Sequence, residues 1–248
     1  MVKKKKYIIG LGGLVFLLAA IAYWYFFTEP SSLPADEQLV KEINSFHLQA
    51  DAAVIQDTIF VDNRNVLAPF ISNKENYGLS FWTWHNKKWM LNSVHTKGNP
   101  VLWKIDPNDP SSYRFVWNIH PDDQLGFIDL FLIRDRGYHM TDGIEFYDPK
   151  VQMKETVSLE DESYGLMELP REWKVFMDAF IEVEMARQPT IMSSFYSEMY
   201  MYFGWIAYDE DREEADPELS FGGSGSSGGI ELEHIRSLQK QDIEVPID

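Results

Sequence analysis

The chain has 248 residues, 45% hydrophobic and 15% aromatic, with 39 Asp and Glu against 22 Lys and Arg, a net charge of −17. A surface that negative repels phosphate backbones, so nucleic acid is excluded as a partner, while divalent cations, cationic peptides and basic proteins are favoured. Cysteine is absent, which excludes disulfides, thiolate metal sites, cysteine nucleophiles and cysteine-linked lipid anchors.

At the start of the chain, Lys3, Lys4, Lys5 and Lys6 precede the uncharged run Tyr7–Phe27. At 1.5 Å per residue this run reaches about 30 Å as a helix, the thickness of a bilayer's hydrocarbon core. Lysines stay on the cytoplasmic side, and Tyr23-Trp24-Tyr25-Phe26-Phe27 has the aromatic composition of the far interface. The reading is a basic cytoplasmic segment at 1–6 and a transmembrane signal-anchor helix at 7–27. That makes a single-pass protein of the cell membrane, with the lipid bilayer as partner and the remaining chain extracytoplasmic. Beyond Phe27 the chain carries 18 Lys and Arg against 39 Asp and Glu. The alternative is a cleaved signal peptide: Ala20-Ile21-Ala22 has the small-x-small form, and cutting after Ala22 would give a secreted soluble protein.

Residues 28–34, with Pro30 and Pro34, read as an extended spacer. From Ala35 to Ala50, Leu39, Ile43, Phe46 and Ala50 recur at steps of four, three and four behind Asp36 and Glu37, which predicts an amphipathic helix. The period then shortens. Val54–Val61, Tyr77–Trp84, Lys88–His95, Pro100–Ile105, Tyr113–Ile119, Leu125–Arg134 and Val151–Val157 are short, β-branched or aromatic, and separated by turn clusters. They predict an antiparallel sheet of about seven strands. Pro170 opens a second helix with Trp173, Phe176, Met177, Phe180 and Ile181 on one stripe, closed by Gln188-Pro189. Thr190–Tyr208 is ambiguous: Ile191, Phe195, Tyr202 and Ile206 fit a helix, whereas Met199, Met201, Phe203 and Trp205 alternate as in a strand. After Tyr208 an acidic run and the glycine-serine run 222–229 predict a disordered tail over 209–248, in which Leu232–Leu238 is a short amphipathic fragment able to dock.

The most distinctive constellation is the predicted hairpin Leu79–Leu91, in which Trp84 faces Trp89 and the same face collects Trp82 and Leu91. Exposed, Trp82, Trp84 and Trp89 would form a platform for sugar rings or an apolar partner; buried, they are a sheet core. The histidines at 47, 85, 95, 120, 139 and 234 have no zinc-ligand spacing. Asp106–Pro110 and His120–Asp123 resemble oxygen-ligand loops but lack the glycine and closing glutamate of a calcium hand, so turn chemistry is the simpler reading. Ser80 or Ser93 beside His85 or His95 would be the only serine–histidine pairing to consider.

Taken together these elements predict an α+β protein: an N-terminal transmembrane helix, then a mainly antiparallel β-sheet domain at 35–208 with flanking amphipathic helices. No cofactor and no metal are expected. The expected function is a binding or interaction module of the cell envelope with an envelope protein or a glycan as partner. The alternatives are an envelope hydrolase cutting a glycan between two carboxylates, and the secreted protein left by cleavage after Ala22.

Overall fold

The computed structural model of the chain describes residues 16–17, 29–141, 143–160, 162–187 and 201–244. Helix α1 (Asp36–Phe46) begins after Ala35, whose carbonyl accepts from the amides of Gln38 and Leu39, and carries Asp36 and Glu37 in its first turn. Its buried side is Leu39 and Ile43. His47 leaves helical geometry and ends it. Helix α2 (Arg171–Arg187) follows Pro170 as the sequence predicts.

Three sheets hold most of the remaining chain. The first runs β1 (Ala52–Ile55), β3 (Asn65–Ser72), β4 (Tyr77–His85), β5 (Lys88–His95) and β14 (Gly225–Ser227), with β2 (Ile59–Phe60) also on β3. In the second, the order is β12 (Tyr164–Glu168), β7 (Tyr113–Asn118), β6 (Gly98–Lys104), β15 (Glu231–His234). The third is ordered β11 (Val151–Ser158), β8 (Phe127–Arg134), β13 (Met201–Tyr208), β16 (Arg236–Ser237). Every pairing is antiparallel except β13 with β16. A separate hairpin, β9 (Gly137–Thr141) with β10 (Ile144–Asp148), extends from the end of the β8–β11 pair.

Period-two alternation stacks these sheets. On β3, Val66, Ala68 and Phe70 face α1, while Leu67 faces the second sheet together with Leu79 and Phe81 of β4. The second sheet answers with Val101, Trp103 and Val116, and turns Leu102, Phe115 and Trp117 to the third. There Ile128, Leu130, Leu132, Phe203, Trp205 and Ala207 complete the largest core, into which α2 inserts Trp173 and Met177. The outer face of the third sheet, with Phe131, Ile133, Ile206 and Tyr208, is covered by Leu238 and Ile243. The order of layers is therefore α1, first sheet, second sheet, third sheet, C-terminal segment. Burial on both faces explains why six of the eight residues of β8 are apolar, all but Asp129 and Arg134, instead of alternating with polar ones.

The fold class read from the sequence is corrected. What is described is mostly antiparallel β-sheet with two helices of 11 and 17 residues. Among the described residues no helix is long and apolar enough to cross a membrane. The span Tyr7–Phe27 lies outside them except for the helical Phe16 and Leu17, so the transmembrane, single-pass reading has no support in the fold. Of the ambiguous stretch, 190–200 lies outside the described residues, and Met201–Tyr208 is a strand.

The predicted tail is also revised. Residues 209–244 form a strap that adds β14 to the first sheet, β15 to the second and β16 to the third. Ile235 enters the largest core and Ile230 and Leu232 pack between the first two sheets. Its course is pinned at Ser220, whose amide is accepted by Asp123 Oδ2 at 2.9 Å and whose hydroxyl accepts from the His120 amide at 2.7 Å.

Candidate functional site

The β9–β10 arm is the element that the core does not use. Among the described residues it pairs with no other strand. Its register sets Tyr138 opposite Tyr147 and Met140 opposite Glu145, and the pleat brings all four to one face. On that face Tyr138 is 63% exposed, Met140 60% and Tyr147 64%. Glu145 is exposed as well. At the base of the arm, Arg136 is held by the Glu244 carboxylate, and Arg134 donates from a guanidinium nitrogen to the Pro149 carbonyl at 2.9 Å. An isolated two-stranded ribbon in water is marginal, and apolar side chains on it gain most from a further strand or surface laid against them.

The tryptophans singled out by the sequence are elsewhere. The predicted register holds, with Trp84 opposite Trp89 and Trp82 opposite Leu91, closed by Asn86 and Lys87 at positive φ. Yet Trp82 is 0% exposed, Trp84 9% and Trp89 8%, because α1 lies over that face. Trp82 Nε1 donates to Ser80 Oγ at 3.0 Å, and Trp89 Nε1 to the Ser31 carbonyl at 2.9 Å. All three are core and present no open ring face as a platform.

A second polar cluster forms where the strap meets the first sheet. His47, just past α1, places Nδ1 2.8 Å from Ser226 Oγ and Nε2 3.1 Å from Ser224 Oγ. His95 on β5 stacks on His234 of β15 with ring centroids 5.5 Å apart. Burial, then the neighbouring His234 and His47, pushes the His95 imidazole down to about 4. A cavity of about 180 Å³ beside these rings is lined by His95, Lys97, Asn99 and His234 and by β14 with its flanking residues. The serine–histidine pairing considered from the sequence does not form: Ser80 Oγ donates to the Ala68 carbonyl, and Ser93 Oγ to the Ser226 carbonyl. His47 with Ser224 and Ser226 was invisible in one dimension, since they are more than 170 positions apart.

A larger cavity of about 540 Å³ opens between the first two sheets against Gly229, Ile230 and Glu231. Glu231 is the one carboxylate in its lining, and the smaller cavity has none, so neither presents the facing pair that glycoside hydrolysis needs. Among the described residues no group of three or more His, Asp or Glu is placed to hold a metal ion. Both oxygen-rich loops are turn chemistry. Asp106 Oδ1 accepts from the Asn108 amide, Asp109 Oδ1 from the Ser111 amide, and Asp123 is occupied by the strap. The Ser111 hydrogen bonds are also what hold the Asp109 carboxyl below its ordinary range. Comparison with known proteins finds no family model, no curated protein and no solved structure that matches the chain.

Proposed function

We propose that this protein is a binding module that captures an extended, basic segment of another protein on the β9–β10 arm. The observation that carries this is the exposed face of Tyr138, Met140 and Tyr147 on a ribbon that no other described strand pairs with. An incoming strand would take its main-chain hydrogen bonds from an edge of the arm and lay alternate side chains on the tyrosine face. Charge selects the partner. Glu145 lies among the apolar side chains, Asp135 is exposed at the base, and the chain as a whole carries −17. Lysine and arginine side chains fit such a face, their stems over the methionine and their cationic heads over the tyrosine rings or on the carboxylate.

The test is fluorescence anisotropy with labelled ten-residue peptides in which Lys or Arg alternates with Val. The parent protein is expected to bind them saturably, more weakly as salt rises. The double variant Tyr138→Ser/Tyr147→Ser is expected to lose at least tenfold in affinity while its thermal midpoint stays unchanged, because neither ring is part of a core cluster. Equal binding by parent and variant, or equal binding of a Glu-for-Lys peptide, would refute the proposal.

A further inference from the structure

The cavity beside β14 is unusual for so acidic a chain. Its lining carries three basic side chains, His95, Lys97 and His234, and no carboxylate, with Asn99 and the hydroxyl residues Ser224, Ser226 and Ser227 around them. His47 approaches from the α1 side through its contacts with Ser224 and Ser226. From β4 the neighbour of His95 is the Phe81 ring, with centroids 5.7 Å apart, and from β14 it is Gly225. On the loop before β6, Lys97 donates from Nζ to the Glu218 carbonyl at 3.1 Å, which fixes the ammonium without neutralising it. The carboxylates of the neighbouring strand, Glu231 and Glu233, are engaged by Lys104 at 3.4 and 2.8 Å. Basic groups from β5, the loop before β6, β15 and the end of α1 thus converge on a lining that holds no carboxylate.

We infer that this cavity is a binding site for a small oxyanion of the phosphate or sulfate class, occupied preferentially under mildly acidic conditions. A tetrahedral anion can accept several hydrogen bonds at once, and it would meet an ammonium, imidazoles, an amide and serine hydroxyls, the donors such groups require. Glycines on both sides of the serines keep the wall thin. A Cβ built on Gly225 would lie 3.0 Å from His95 Cδ2, and one on Gly223 2.8 Å from Lys97 Cβ. Protonation of His95 and anion binding are linked here, since the anion supplies the counter-charge that this buried imidazolium would otherwise lack. The site is independent of the arm and of the binding proposed there.

Isothermal titration with inorganic sulfate, whose charge is the same at both values, tests this at pH 5.5 and pH 7.5 at constant ionic strength in chloride. The expected result is one saturable site per chain, at least tenfold tighter at pH 5.5, with the His95 ring resonances moving toward the protonated form on addition. The double variant Lys97→Met/His234→Asn is expected to abolish the heat signal while unfolding at the parent temperature at pH 7.5. Should that variant not fold, His234→Asn alone must weaken binding at least threefold. A phosphoserine peptide in place of sulfate separates a free anion from one carried on a chain, and binding of either supports the site. Absence of saturation by either ligand at 10 mM and pH 5.5, with both expected at about 1 mM or tighter from contacts of this kind, would overturn the inference, as would unchanged binding by the variants.

Discussion

Among the described titratable residues, His95 has the most displaced imidazole or carboxyl. Its imidazole is lowered from 6.5 to about 4, first by burial and then by His234 and His47. The folded chain therefore binds fewer protons than the unfolded one between those values, and stability that is fully present above pH 6.5 is lost as pH falls toward 4. The loss is about 3 kcal/mol. Urea midpoints measured from pH 7 to pH 4 in phosphate-free buffer should fall along that window, and His95→Gln should flatten this part of the profile; a parent profile without slope there contradicts the burial described. Other residues are fixed by space. A Cβ on Gly98 would stand 2.1 Å from the Asn118 carbonyl oxygen, so the second sheet closes there only with glycine. Asn118 in turn donates from Nδ2 to the Gln56 side chain at 2.7 Å and to the Gly78 carbonyl at 2.8 Å, tying that sheet to the first. Neither role is written in the local sequence, because the partners of Asn118 lie 40 and 62 positions away.

At the scale of elements, what the sequence made legible were segments whose pattern is self-sufficient. Helices α1 and α2 follow their apolar spacing, and β4 and β5 pair in the register that their tryptophans require. Strand β3 was hidden by Pro69 in mid-strand, which ordinarily argues against a central strand. The arm did carry a sequence signal, the hairpin-forming pair Asp142-Gly143 between Tyr138-His139-Met140-Thr141 and Ile144-Glu145-Phe146-Tyr147, but its few apolar residues do not mark a buried face. The strap was the largest omission. Glycine and serine have no strand preference, and β14 forms because β5 offers an edge and because the Thr96 hydroxyl donates to the Ser224 carbonyl just before it at 3.0 Å and the Ser93 hydroxyl to the Ser226 carbonyl within it at 3.1 Å. The strap is also an energetic element. Ile235 and Leu238 are buried, each worth about 2 kcal/mol, before the loss of three edge strands is counted. Ending the chain after Asp216 should therefore lower the urea midpoint sharply or abolish cooperative unfolding, and Leu238→Ala alone should cost about 3 kcal/mol. A truncated chain as stable as the parent would show that residues 217–248 are only a tail.

For the molecule as a whole, the stack explains both the aromatic richness and the absence of disulfides. A second sheet buried on both sides and a third covered by the strap give four clusters of buried side chains, with Trp82, Trp103 and Trp205 among the largest fully buried residues. A core of that extent can support a domain without covalent staples. The sequence pointed to its antiparallel sheets but merged three into one, since nothing in a single strand states which sheet its two faces will meet. The same burial accounts for the tryptophan platform that does not form: indoles at period two were recruited to the interface with α1. What the stack leaves outside is the arm. Replacing residues 137–148 with Asn-Gly, which joins the ends of β8 and β11 by a short turn, and measuring thermal midpoint and basic-peptide affinity on the same sample tests the account most directly. The expected result is an unchanged midpoint with peptide binding lost; a lowered midpoint with binding retained would contradict it, making the arm a piece of the core and placing recognition elsewhere.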